Sequence, residues 1–208
     1  EDNHMLVVNK PAGLLTQPSG TREDSIEMQC KEWIKQKYNK LGNVYLHAVH
    51  RLDKPVSGIV VFAKTSKALT RLNASIREHK AKKGYVALTE LSPNAEEGTL
   101  EHFLSHDDHY ATIEKEGKKD AKVSILHYRV LKRGKKGTLL EIDLKTGRYH
   151  QIRVQLAEIG CSILGDTKYG ARSTYLPNAI ALHHHRFEIP HPVSGEKMVF
   201  QSPIPFEI

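Results

Sequence analysis

Cysteine is scarce. The chain has two in 208 residues, Cys30 and Cys161, with no Cys-x-x-Cys spacing, which leaves no basis for a disulfide scaffold or a cysteine zinc site. No apolar run approaches the ~18 residues of a membrane span, and the amino end lacks the charged-then-apolar pattern of a secretory leader. No membrane partner is expected, and the cytoplasm is the expected compartment. Aromatic residues make up only 7%, and there is no internal repeat, low-complexity tract or linker. With 39% hydrophobic and 26% charged residues, the composition is that of an ordinary globular chain, long enough to bury a sizeable core.

Acidic residues are outnumbered. Lys and Arg total 31 against 24 Asp and Glu, a formal net charge of +7 with an isoelectric point near 9.3, which favours an anionic partner such as nucleic acid. The excess is concentrated. Residues 64–83 hold Lys64, Lys67, Arg71, Arg77, Lys80, Lys82 and Lys83 against the single acid Glu78. A second group, Lys132, Arg133, Lys135 and Lys136, brackets Gly134 and Gly137 like the tip of a hairpin. Such runs also occur as plain solvated surface.

Hydrophobic periodicity organises the rest. Residues 5–9 read as a short buried strand ended by Pro11 and Gly13. Asp24 and Glu27 have capping-box spacing ahead of a helix whose apolar positions are Ile26, Cys30, Trp33 and Ile34. Residues 58–63, Gly-Ile-Val-Val-Phe-Ala, predict a central strand. Thr65 or Ser66 then caps a helix with Leu69, Leu72 and Ile76 inward and Arg71, Arg77 and Lys80 outward. Residues 84–90 and 121–131 read as strands, the second pairing Val123 and Ile125 against Ser124 and Leu126 only loosely. Residues 138–145 alternate cleanly, Leu140, Ile142 and Leu144 opposite Glu141 and Asp143. A short helix follows over about 150–159, stopped by Gly160. The last forty residues, punctuated by Pro190, Pro192, Gly195 and Pro203, read as strands and turns. The fold class is α+β in one compact unit, and the strand pattern argues against a doubly wound sheet.

Two segments can carry chemistry. His50-Arg51-Leu52-Asp53 precedes a Pro/Gly turn and a buried strand, a rigid platform for a carboxylate; from local sequence alone the plainer reading is that Asp53 caps a turn and Arg51 lies on the surface. Gly147-Arg148-Tyr149-His150-Gln151-Ile152-Arg153 joins a strand to a helix, where backbone N–H groups and two arginines suit a phosphate or carboxylate. Arg148 and Arg153 could equally be helix-surface cations, but arginines in a first turn oppose the helix dipole, so a negative group is expected nearby. Three other patterns fail on inspection. His183-His184-His185, even with His47 and His50, lacks metal-binding spacing. Residues 58–65 end in Lys-Thr but have Ala63 where a phosphate loop needs glycine. No Gly-x-Ser-x-Gly elbow is present.

Taken in order, these segments resemble the RluA family of pseudouridine synthases over nearly the whole chain. Asn9-Lys10-Pro11-Ala12-Gly13 is similar to the family's opening segment, and His50-Arg51-Leu52-Asp53 with Ser57-Gly58 to its catalytic motif. Lys83-Gly84-Tyr85 resembles the second motif and residues 147–153 the third. Gly165-Asp166, Tyr169-Gly170 and residues 191–196 extend the likeness. Val56 and Tyr149 depart from it, standing where threonine and a small hydroxyl residue are usual.

The resemblance implies a mixed, mainly antiparallel sheet with flanking helices and a central active-site cleft, in a single catalytic domain spanning 1–208. No separate RNA-binding domain is expected ahead of residue 1 in this chain. It implies isomerisation of uridine to pseudouridine in structured ribosomal or transfer RNA, with the target base flipped out of its stack. Asp53 is then the essential carboxylate, as nucleophile or as base on the ribose. Arg153 holds its charge in place, and Tyr85 stacks on the base and helps remove the carbon 5 proton. Arg51 is implied to fill the vacated space, with His50, Arg148, His150, Gln151, Lys64, Lys80, Lys82 and Lys83 as RNA contacts. An isomerisation needs no metal or organic cofactor, and no obligatory protein partner is implied, so a monomer is expected. The alternative is an RNA-binding or ribosome-assembly factor that keeps the fold without catalysis.

Overall fold

A computed structural model describes residues 1–20 and 22–208. The chain divides into two compact units, residues 1–82 with 186–202 and residues 83–185 with 203–208.

The first unit is built on β3 (Ser57–Ala63), whose residues from Gly58 onward are all buried. β1 (Met5–Lys10) and β2 (His47–Ala48) pair with it antiparallel, Val7 opposite Val61 and His47 opposite Ala63. β10 (Lys197–Gln201) pairs antiparallel with β9 (Leu182–Pro190), and β9 neighbours β3. Met5, Ile59, Val61, Leu72, Phe187 and Ile189 form the core, each such buried side chain stabilising the fold by about 1.5–3 kcal/mol relative to exposure.

α1 (Ile26–Lys37) starts one residue later than the capping-box spacing predicts. Ser25 is the cap, its hydroxyl accepting from the N–H of Met28, while Asp24 accepts from the N–H of Ser25 and from Gln29. Glu27 instead pairs with Lys31. Trp33, expected inward, is exposed, with the Lys37 ammonium 4.5 Å above its ring; the cation–π contact makes the surface tolerable to an indole. α2 (Ser66–Arg77) is capped by Thr65 and buries Ala68 and Leu72, with Leu69 and Ile76 packed on the same core.

In the second unit β9 neighbours β4 (Lys82–Thr89), followed by β8 (Gly137–Leu144), β7 (Lys122–Gly134), β5 (Glu97–His106) and β6 (Ala111–Glu114). The pairs β4–β8, β8–β7, β7–β5 and β5–β6 are antiparallel. The sequence pattern gave no sign of β5 and β6, where apolar residues alternate too weakly to register. On β7 the buried face is Ser124, Leu126 and Tyr128, with Val123 exposed. The β7–β8 turn is the expected basic hairpin tip, Gly134 opposite Gly137. Gly137 is required there: φ is +141° and a Cβ would lie 2.2 Å from the carbonyl oxygen of Thr89.

α3 (Gln151–Glu158) is buried from Gln151 to Leu156, including three polar residues that the apolar spacing leaves outside. Gln151 donates to the carbonyl of Ile125, and Gln155 to those of Leu100 and Ser124. These bonds to sheet carbonyls offset the cost of burying the amides. A short 3-10 turn, Thr167–Tyr169, precedes β9. Among the described residues no helix is long and apolar enough to cross a membrane.

Candidate active site

The candidate residues fall in both units, Asp53 in the first and Tyr85 and Arg153 in the second. Asp53 lies in the loop between β2 and β3, and its neighbours on both sides are pinned. Before it, Leu52 is held reciprocally: its N–H donates to the Thr16 hydroxyl at 3.0 Å, and that hydroxyl donates to its carbonyl at 2.8 Å. After it, the carbonyl of Lys54 accepts from the N–H of Gly13 at 2.8 Å and from Lys10 Nζ at 3.3 Å. The carbonyl of Asp53 accepts from Val56 N–H, closing the turn. Asp53 does sit in a turn, as the plainer reading had it, and the clamps make that turn a fixed mount for a half-buried carboxylate.

Lys10 organises this mount through several carbonyls. It is fully buried and donates also to the carbonyls of Pro11 and Leu14, at 2.9 and 2.7 Å. Burial pushes its ammonium down to about 8, against the upward pull of the Asp53 charge. Neither Thr16 nor Lys10 was singled out from the sequence as a site residue. Lys10 lies in the opening segment that carries the family likeness, and no local pattern marks Thr16.

His50 is half-buried, its ring tilted against Phe187 at 4.7 Å with Nε2 accepting from Val61 N–H. Arg51 is exposed. Lys64 is tied to Glu1 and to the carbonyl of Asp2, and Lys80 is exposed but paired with Glu78. Lys82 is exposed and Lys83 partly buried, its amine drawn below the usual lysine range by burial. A Cβ on Gly147 would lie 3.3 Å from Lys83 Nζ, so the second and third motifs meet in space.

Tyr85 is buried on β4, opposite Ile142 of β8. Its ring stacks on His184 with centroids 4.5 Å apart and planes at 21°, which fixes the ring plane. His184, rejected as a metal ligand, thus supports a candidate catalytic residue. No group of three or more His, Cys, Asp or Glu among the described residues could hold a metal ion.

Arg153 is not a surface cation. It is 5% exposed and forms a forked ion pair with Asp166, Nε to Oδ2 at 2.7 Å and Nη2 to Oδ1 at 2.8 Å. The negative group anticipated from the helix dipole is therefore Asp166, a residue noticed only as part of the family likeness. The guanidinium also lies 5.0 Å from the ring centroid of Tyr169. Arg148 is exposed, its Nε donating to the carbonyl of Val123.

His150 and Gln151 face inward. His150 has φ +50°, a left-handed conformation that costs a non-glycine residue of order 1 kcal/mol. Its ring is anchored through Nδ1 to the Tyr169 hydroxyl at 2.7 Å. Gln151 spends its amide on Ile125, Thr146 and Arg148. Both side chains are buried, with His150 Nδ1 and the Gln151 amide engaged within the fold.

This fold and its motifs have known counterparts. The chain belongs to the RNA pseudouridylate synthase family, which it matches over residues 4–158, a span that includes Asp53, Tyr85 and Arg153. It is 34% identical to the uncharacterized RNA pseudouridine synthase YhcT of Bacillus subtilis, over 100% of this chain and 68% of that one. It is also 34% identical to ribosomal large subunit pseudouridine synthase D of Pseudomonas aeruginosa, over 99% of this chain and 67% of that one. The chain thus spans about two thirds of the length of these relatives, and they belong to the RluA branch that the motifs resemble. Two human proteins share the fold at 23% identity. RNA pseudouridylate synthase domain containing 4 has a TM-score of 0.81 over 99% of this chain and 87% of its own. Domain containing 1 has 0.77 over 100% and 82%. The chain is accordingly an isomerase of the pseudouridine synthase class.

Proposed function

We propose that this protein converts particular uridines in ribosomal or transfer RNA to pseudouridine, with Asp53 as the essential carboxylate and Tyr85 and Arg153 as its partners in the reaction. The observation that carries this reading is the clamp on the Asp53 loop. Thr16 and Lys10 fix the backbone on either side of the half-buried carboxylate. Preorganising one acidic group in this way serves catalysis, where misplacement by about 1 Å costs orders of magnitude in rate; binding RNA would gain little from it.

In this scheme the bond from N1 of uracil to C1′ breaks, the base turns, and C5 bonds to C1′. Asp53 acts on the ribose, either as a nucleophile whose bond to C1′ forms as the N1 bond breaks and is in turn displaced by C5, or as a base that takes a ribose proton from C2′ and returns it when C5 bonds to C1′. The C5 proton then leaves with the help of the Tyr85 hydroxyl, and N1 ends protonated. His184 beneath Tyr85 supports a ring on which the base stacks. Because the glycosidic bond is inaccessible within a duplex, the target nucleotide is flipped out, with Arg51 in the space it leaves. Arg148 and Lys82, both exposed, meet the phosphates.

Tritium release from RNA labelled at carbon 5 of uridine tests the reading, with ribosomal and transfer RNA in separate reactions. Release that disappears in Asp53→Asn supports it and identifies the RNA class. Undiminished release from Asp53→Asn would overturn the role of Asp53, and no release from either RNA would overturn the substrate assignment.

A further inference from the structure

Three separate segments of the second unit bring their aromatic side chains together. His106 and Tyr110 flank the turn between β5 and β6, Tyr149 and His150 precede α3, and Tyr169 ends the 3-10 turn. Tyr149 stacks on His150 with centroids 3.8 Å apart and planes at 21°, and His106 lies 5.2 Å from Tyr149. His150 meets Tyr169 edge-on at 5.5 Å, and Tyr169 meets Tyr110 at 6.2 Å. Three of the chain's eight tyrosines are in this one ladder.

The ladder reaches the surface on both sides, through Tyr149 with exposed His106 beyond it and through Tyr110. Tyr149 is 37% exposed and Tyr110 48%, while His150 between them is buried. Both tyrosines are held rigidly. His150 supports one face of Tyr149, and Asp107 Oδ1 accepts from the N–H groups of His109 and Tyr110 at 2.7 and 2.6 Å, fixing the turn that presents Tyr110. Positive charge borders them: Lys168 Nζ lies 4.5 Å from the Tyr110 ring centroid, and exposed Arg148 directly precedes Tyr149. Rigid, half-exposed rings beside cations are what single-stranded nucleic acid recognises, since every base has a face to stack and every nucleotide a phosphate. Duplex RNA offers no such face.

We infer that the ladder is a binding site for an unpaired nucleotide of the RNA, its base stacked on Tyr149 and its phosphates held by Arg148 and Lys168. This rests on the isomerase reading and extends it to nucleotides beyond the target uridine. Arg153, through its contact with Tyr169, connects the ladder to the proposed catalytic machinery.

The test uses a single-stranded 12-nucleotide RNA of mixed sequence and an abasic ribose-phosphate strand of the same length, with affinities measured at fixed salt. Wild type binds the base-bearing strand more tightly, and Tyr149→Leu, which keeps an apolar cover over His150, loses on the order of tenfold on that strand alone. Tyr149→Trp retains the affinity. Equal affinity of wild type and Tyr149→Leu for the base-bearing strand, or an equal loss on both strands, overturns the inference. Should Tyr149→Leu fail to fold, wild type alone keeps the test, since equal affinity for the base-bearing and abasic strands overturns the inference. Asp53-dependent tritium release with no effect of the tyrosines would reject the ladder and leave the isomerase reading standing. Loss of base-dependent binding in an otherwise inactive protein would do the reverse.

Discussion

Arg153 and Asp166 meet as a two-pronged ion pair, 5% and 1% exposed. Two charges taken out of water are stabilised by each other, and removing one weakens the compensation of the other in a buried place, at up to about 3–5 kcal/mol. Asp166→Ala is therefore expected to lower stability by that amount in urea titration. The double variant Arg153→Met with Asp166→Leu should recover most of the loss. A double variant as unstable as the single one would show that packing, rather than charge, sets the cost.

Arg153→Lys keeps a positive charge and gives up the fork. RNA affinity is expected to remain within about threefold while turnover falls on the order of 100-fold, because a point charge no longer fixes the geometry that the reaction needs. Tyr85→Phe should likewise retain binding, by keeping the stack on His184, and lose isomerisation. Single-turnover kinetics separate the two quantities in both variants. Unchanged single-turnover rates would exclude Arg153 and the Tyr85 hydroxyl from the chemistry.

Burial, reinforced by the charge of Arg153, pushes His150 down to about 3, and burial pushes His183 down to about 4. Both values lie below the ~6.5 of an unfolded chain, so the unfolded state binds more protons. The stability is fully present above pH ~6.5 and is lost as pH falls through that window. At pH ~5, where most carboxylates are still ionised, each histidine should account for a loss of about 2 kcal/mol. Urea midpoints at pH 7.5 and 5 should converge when both are replaced by Gln. A slope that survives the double replacement would assign the acid sensitivity elsewhere.

Lys10 behaves in the alkaline range as the histidines do in the acid range. Its folded value of about 8 lies below the 10.5 of a free lysine, so its buried charge costs stability below pH ~8, and that cost is relieved as pH rises toward 10.5. Wild type is expected to gain up to about 3 kcal/mol relative to Lys10→Met between pH 7 and 10.5. A difference that stays constant with pH would mean that Lys10 remains charged throughout.

Salt dependence should separate exposed cations from paired ones. Each phosphate contact to single-stranded RNA contributes a slope of about −0.7 in log affinity against log salt. Arg148→Ala is expected to flatten the slope by about that amount. Lys64→Ala, which removes a cation already engaged by Glu1 and Asp2, should leave it unchanged. Equal effects would mean that RNA draws Lys64 away from its acidic partner.

Strands with strong apolar signals were legible in the sequence. β1, β3 and β8 appear where residues 5–9, 58–63 and 138–145 place them, because local composition records both the short apolar run of a buried strand and the alternation of a half-buried one. The basic hairpin tip and the start of α2, with its cap at Thr65 or Ser66, were readable for a similar reason: both are set by residues within a few positions of each other. β5 and β6 were not, since half-exposed strands carry weak alternation, and Trp33 turned outward because Lys37 gave its ring a partner on the surface.

The same division runs through the site. The linear motifs determined which residues are candidates, since Asp53, Tyr85 and Arg153 stand within recognisable strings. Their surroundings depend on contacts between residues far apart in the chain: Thr16 with Leu52, Lys10 with Lys54, Tyr85 with His184, and Arg153 with Asp166. Tertiary structure also decided which cations remain exposed, by placing acids such as Glu1 beside Lys64. A hydrogen bond or ion pair depends on distance and orientation, and neither is encoded at any single position, so these relationships exist only once the chain has folded.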